Sequence, residues 1–267
     1  MKKTYVQEIK RAFKSVEYWF AFALIILSSA WTAVYHLDEY GVLYRTNIGA
    51  AEFFYACIML GNTLLQISVP IIPIFVSMYA SGICDETDNI SVNGEKQTTL
   101  IRALATVTIS SSVFLFSFIF IAIAGMVLFS GSTGDIGEMA GPFSDIYHKY
   151  PFSIIPITII YSCFFASAYS LLGMGIGMNL KKNKILALII PLTYYFCFEY
   201  IVLLLPPSLN EILYWIIPLN TFDLVTFNVP LYKKLIEMLF VFSAAMILIV
   251  IATRKTGKNK VNKRFSY

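Results

Sequence analysis

Apolar residues in this chain run in long unbroken blocks, and the polar residues collect between them. Six blocks stand out, near residues 18–36, 55–78, 103–130, 153–180, 185–205 and 235–253. A hydrocarbon layer of about 30 Å is crossed by about 20 helical residues, so each block is long enough to span one. Blocks this continuous do not show the two-residue alternation of a membrane β-barrel strand. Inside hydrocarbon the backbone must bond within its own segment, which leaves the helix. The pattern therefore predicts an all-α membrane protein with six transmembrane helices in a single domain over 1–267. Ahead of the first block, Val6, Ile9, Phe13 and Val16 recur at helical spacing while Glu8, Lys10, Arg11 and Lys14 fill the other face. That spacing predicts an amphipathic helix over 1–17 lying along the membrane surface. A signal peptide is the rival reading of a basic start, an apolar stretch and the small residues Ser28-Ser29-Ala30; the two-faced periodicity argues against it.

Composition strengthens the membrane assignment. The 267 residues are 58% hydrophobic and 13% charged with a mean hydropathy of +0.71, far from soluble averages, and no stretch is left over for a soluble domain. Charge then sets orientation, because Lys and Arg concentrate beside the cytoplasmic ends of spans. Lys2, Lys3, Lys10, Arg11 and Lys14 precede span 1, Lys96 and Arg102 lie between spans 2 and 3, and Lys181, Lys182 and Lys184 separate spans 4 and 5. The tail at 254–267 adds Arg254, Lys255, Lys258, Lys260, Lys263 and Arg264, against only Arg45, Lys149, Lys233 and Lys234 on the other side. Both termini are expected in the cytoplasm, with the chain multi-pass in the cell membrane. A seventh span through 208–230 would export the basic tail and is interrupted by Pro218, Asn220, Asp223 and Asn228, so 206–234 reads as external. Its apolar fragment "EILYWIIPL" is too short to cross.

Candidate chemistry is sparse. Cys57, Cys163 and Cys197 fall within spans, Cys84 lies outside them, and no CxxC pair occurs, so the cysteines read as packing residues. His36 and His148 stand alone without ligands at metal spacing, and "DETDN" lacks the glycine and ligand spacing of a calcium loop. HExxH, GxSxG and a P-loop are absent; the nearest approach to the last, "TGKNK" at 256–260, has neither the upstream glycine nor the hydroxyl after lysine. No enzyme activity, metal, chain-bound cofactor or nucleic-acid partner is expected.

Three features remain inside the spans. Ser162, Ala166, Ser170, Gly173 and Gly177 form a small-residue stripe on span 4, which favours close helix packing, and the GxGxG within it continues a span rather than opening a phosphate loop. Span 2 carries Asn62, Gln66, Pro70, Pro73 and Ser77 roughly on one face, pointing either to interhelical hydrogen bonding or to a pathway. Glu199 in "YYFCFEYIVLL" reads as the only carboxylate well inside a span, and an intramembrane carboxylate is a functional candidate.

One short stretch stands apart: "SGICDETDNISVNGEKQTTLIR" at 81–102 holds four carboxylates between two apolar runs. Together with "IIPIF" late in span 2, Asp85-Glu86, Arg102 leading into span 3, "GMGIGMNLKKNKILALIIP" across spans 4 and 5 and the broken external segment, the plan resembles the permease subunits of type-2 ABC transporters, the export family. The resemblance covers nearly the whole chain. It implies that 81–102, with Asp85, Glu86, Asp88, Glu95 and Arg102, is a cytoplasmic coupling segment docked on a separate ATPase subunit that holds ATP and Mg²⁺. It also implies two ATPase subunits, a second permease copy or a similar permease, and outward movement of an amphipathic or hydrophobic cargo such as a peptide, drug or lipid-like molecule. Asn62, Gln66 and Glu199 become pathway candidates. A membrane anchor or sensor-associated interaction protein that moves nothing is the rival from another class.

The charge asymmetry is tested by single cysteines: positions 140 and 225 should react with an impermeant thiol reagent from outside, and position 258 should not. Labelling of 258 from outside would sink the six-span topology.

Overall fold

The computed structural model describes residues 2–39, 48–59, 64–80, 92–129, 141–180, 184–213, 222–225 and 229–264. Over these the chain is mostly helical with no strand among the described residues. The helices are α1 (Lys2–Lys14), α2 (Val16–Glu39), α3 (Ala50–Ile58), α4 (Leu64–Ala80), α5 (Val92–Leu128), α6 (Ser144–Lys149), α7 (Ile154–Asn179), α8 (Lys184–Leu203), α9 (Pro207–Leu213) and α10 (Leu231–Arg264). Four segments are long and apolar enough to cross a membrane: Val16–Leu37, Thr99–Leu128, Pro151–Asn179 and Leu231–Arg254. Leu64–Ser77 and Leu188–Phe198 are shorter apolar helices. Large apolar side chains such as Leu27, Trp31, Phe120, Val127, Phe164 and Leu239 stay exposed on the outside of the bundle, where lipid rather than water is the compatible solvent.

Local chemistry explains the breaks. The Ser15 hydroxyl, between α1 and α2, accepts a hydrogen bond from the Tyr18 N–H at 3.2 Å and so satisfies one orphan donor of α2. Across the same elbow the Trp19 indole N–H donates to the Phe13 carbonyl at 3.0 Å. The run expected over 55–78 is not one helix. It is carried by α3, which ends where Met59 turns extended at φ −64° and ψ 128°, and by α4, which starts at Leu64. At the start of α3, Glu52 reaches back to accept from the Gly49 N–H at 3.3 Å, the carboxylate half of a capping box.

The amphipathic helix expected over 1–17 is α1, and Val16 belongs to α2, where it is 80% exposed. The apolar face of α1 rests on its neighbours: Ala12 is buried, Ile9 and Phe13 are half-buried, and the Tyr5 hydroxyl hydrogen-bonds the Thr108 hydroxyl of α5 at 2.7 Å. The described parts of the segments at 81–102 and 254–267, residues 92–102 and 254–264, belong to long helices. α5 is helical from Val92 and α10 continues to Arg264, giving 37- and 34-residue helices of about 55 and 50 Å.

Side-chain contacts fix helix directions. Thr106 faces Met174, while Ser111 bonds Ser167 at 2.8 Å and the Cys163 carbonyl at 3.1 Å, so α5 and α7 are antiparallel. Tyr169 meets Glu237 and Asn179 donates to the Leu248 carbonyl at 2.8 Å, so α7 and α10 are parallel. Tyr18 pairs with Ser112 and Phe22 with Ser117, making α2 parallel to α5. α7 is the hub, packed on α4, α5, α8 and α10.

The hub is possible because α7 presents small residues. Ser162, Ala166, Ser170, Gly173 and Gly177 are all buried. A Cβ on Gly173 would lie 2.6 Å from Ser77 Oγ and 3.2 Å from Ile74 Cα on α4; one on Gly175 would lie 3.0 Å from the Ala245 carbonyl on α10. Residues two apart on a helix point about 200° apart, so the two glycines admit neighbours on opposite sides. Gly173→Leu should therefore force α4 away and cost at least about 2 kcal/mol. The measurement is the thermal midpoint and monodispersity of the detergent-extracted chain, and wild-type behaviour of this variant would refute close packing at that crossing.

Candidate functional site

Several hydroxyls on the helices are satisfied locally. Ser28, Thr32, Ser77 and Thr253 donate to carbonyls three or four residues back on their own helices, which marks them as structural. Charged residues behave otherwise. Lys234 and Glu237 on α10 are 0% exposed and Asp223, just before that helix, is 1% exposed.

Glu237 is built into a junction of three helices. Its Oε1 accepts from the Tyr169 hydroxyl of α7 and the Tyr194 hydroxyl of α8, each at 3.3 Å. Tyr169 is itself fixed by the stacked ring of Phe165 at 4.3 Å and the edge of Tyr195 at 6.2 Å. An isolated ionised carboxylate in a low-dielectric interior is very costly, and the two phenol donors offset part of that cost at Oε1. One helical turn earlier, Lys234 donates from Nζ to the Asp223 backbone carbonyl, and Asp223 Oδ1 accepts from the Val225 N–H at 2.8 Å. Tyr147 of α6 is buried beside this group: burial first, and then the Asp223 carboxylate, push its phenol above the ordinary value, so it stays protonated at neutral pH.

The residues singled out from sequence are scattered by comparison. Asp85, Glu86, Asp88 and Asn62 lie outside the described residues, as do the side chains of Glu95 on α5 and Glu199 on α8. Arg102 is half-buried on α5 and Gln66 half-buried on α4. Only the packing stripe, Ser162, Ala166, Ser170, Gly173 and Gly177, is seen gathered on one helix. His148 is exposed, whereas His36 is buried in the last turn of α2. Among the described residues no three His, Cys, Asp or Glu side chains are placed to hold a metal. A cavity of about 120 Å³ at the α1–α2 elbow, lined by Glu8, Arg11, Glu17, Tyr18, Val76 and Ile109, is below the about 300 Å³ of small-ligand sites and suits a few waters.

The reading of Glu199 as the only carboxylate well inside a span requires correction, because Glu237 lies within the apolar segment Leu231–Arg254 and is fully buried. A signal was present: Lys234 and Glu237 are three apart, on one helix face, at the start of an apolar run. As flanking charge Lys233 and Lys234 fit the external side equally well, which hides that Lys234 is buried.

No family model, curated protein or solved structure matches this chain.

The shared carboxylate oxygen generates a coupling test. Tyr169→Phe should destabilise the chain by about 1 kcal/mol, and by almost nothing once Glu237 is Leu, because its acceptor is then gone. Equal loss in both backgrounds, measured by thermal unfolding in detergent, would show that Tyr169 does not act through Glu237.

Proposed function

We propose that the chain is the six-span transmembrane permease subunit of an ATP-binding cassette exporter, its spans carried by α2, α3 with α4, α5, α7, α8 and α10. It moves an amphipathic or hydrophobic cargo across the cytoplasmic membrane, paired with a second permease copy or a similar subunit and powered by two ATPase subunits that hold ATP and Mg²⁺. The observation that carries this reading is helix direction. α7 ends at Asn179, α8 begins at Lys184, α10 runs parallel to α7 into its basic extension, and α5 starts antiparallel to α7 at the same end of the bundle. The acidic segment before α5 is thus joined to the end at which lysines and arginines collect, which by the positive-inside rule is cytoplasmic for both termini.

Mechanical coupling follows from continuity. The first seven residues of α5, Val92 to Thr98, precede its apolar stretch Thr99–Leu128, so Glu95 and Lys96 ride on a rigid extension of about 10 Å. A partner that grips Asp85, Glu86, Asp88, Glu95 and Arg102 would pull α5 as a lever, and α5 meets the hub helix through Ser111, Ser167 and Cys163. Hydroxyl contacts of that kind exchange partners readily and suit a sliding face.

Reversing Asp85 and Glu86 to Lys, or changing Arg102 to Ala, removes charge-assisted contacts outside the hydrocarbon and should leave membrane insertion intact. Expected are weaker co-purification of an ATP-binding subunit, or intact binding with transport uncoupled from hydrolysis. Unchanged assembly, ATPase stimulation and transport in both variants would reduce the segment to a passive loop. A complex that assembles but moves no cargo in the wild type would favour the anchor over the permease.

A further inference from the structure

Four consecutive residues between α9 and α10, 222–225, are all buried although they lie in a segment expected from sequence to be external: Phe222 and Leu224 at 4%, Asp223 and Val225 at 1% exposure. Three separate elements hold them. The Phe222 ring meets the Phe165 ring of α7 edge-on at 4.9 Å. The Gly141 N–H donates to the Val225 carbonyl at 3.2 Å, and a Cβ on Gly141 would overlap the Leu224 carbonyl, so the two backbones touch. Lys234 of α10 donates to the Asp223 carbonyl, and its ammonium lies within electrostatic range of the Asp223 carboxylate. Cysteine at position 225 is therefore not a surface reporter, contrary to the expectation for an exposed loop; Asp145 on α6, at the same end, is exposed and serves that purpose.

We propose that residues 222–225 are a plug seated in the end of the bundle opposite the basic extensions, and that the Lys234–Asp223 contact is its release latch. Apolar seating by Phe222, Leu224 and Val225 alone would close that end permanently. Two buried opposite charges in electrostatic range are different, because the hydration that both recover on opening offsets much of the attraction they lose. The pair holds the plug in one register while leaving it removable. The other titratable groups around it are Glu237 on α10, Tyr161 on α7 and Tyr147 on α6, the two tyrosines both within electrostatic reach of Asp223. Glu237 is engaged by Tyr169 and Tyr194, which ties the latch helix to α7 and α8. The device stands on these contacts whether or not the chain transports a cargo.

The test uses the full chain in opened membranes, so that sidedness does not enter, with the four native cysteines replaced by Ala. Val225→Cys is the reporter, Asp145→Cys the exposed reference, and a polar maleimide the probe. With Lys234 intact the reporter should react at least about tenfold more slowly than the reference. Lys234→Met leaves the Asp223 carboxylate without its cation and should raise the reporter rate at least about tenfold without changing the reference, while Lys234→Arg should stay near the parent. Reporter labelling as fast as the reference in the parent chain overturns the plug. An unchanged reporter rate in Lys234→Met overturns the latch. Should that variant fail to accumulate in membranes, Asp223→Asn removes the charge while its amide oxygen still accepts from the Val225 N–H; faster reporter labelling supports the latch, and an unchanged rate overturns it.

Discussion

The close approach of neighbouring backbones to α7 is the constraint on which the remaining architecture depends. Gly173 lets the α4 backbone at Ile74 come within the space of a side chain, and Gly175 does the same for α10 at Ala245. Between apolar helices in lipid there is little hydrophobic driving force, so association rests on the many short-range contacts that only small residues permit. Larger residues at either glycine would separate α4 or α10 from the hub. The bonds from Tyr169 to Glu237 and from Asn179 to Leu248 would then lose their geometry.

Those bonds matter because they divide the bundle into parts of different rigidity. α7 and α10 are fastened at three levels, by Tyr169 to Glu237, by Gly175 against Ala245 and by Asn179 to the Leu248 carbonyl, at an almost constant sequence offset. Two helices so joined move as one body. The polar contacts of α5 with α7 are hydroxyls and sulfur, Ser111 with Ser167 and Thr106 with Met174, which are individually weaker than a bond to a buried carboxylate.

How much of this is legible in the sequence depends on the range of the interaction. Span positions, the small-residue stripe and the two-faced helix at the N-terminus are local periodicities, and α2, α5, α7 and α1 follow them. The end of α3 at Met59 has a local cue in the Gly-Asn pair of the adjacent "LGNTL", set inside a run whose hydropathy alone reads as one span. Residues 222–225 carry no comparable cue, and the spacing of Lys234 and Glu237 marks a shared helix face without naming what covers it. Their burial is produced by Tyr169, Tyr194, Phe165 and Gly141, which are distant along the chain, so hydropathy at their own positions reads them as flank and loop.

The two ends of the bundle consequently use charge in opposite ways. At one end α5 and α10 run past their apolar stretches, and the charged positions 95–96 and 254–264 ride on helices that extend beyond the core. Charges near water are screened and bind weakly to any one neighbour, which is the setting the proposed coupling to an ATPase subunit would use. At the other end Lys234, Asp223 and Glu237 are sealed among aromatic rings, where attraction is strong and any unpaired charge is costly. Since α10 reaches both ends and is fastened to α7 between them, a displacement of that pair reaches the buried cluster as a change in fit around Glu237 and Lys234. In the proposed latch the cluster has two arrangements, paired and dry or separated and hydrated. With the proposed latch, a continuous motion at one end would thereby become a two-state response at the other.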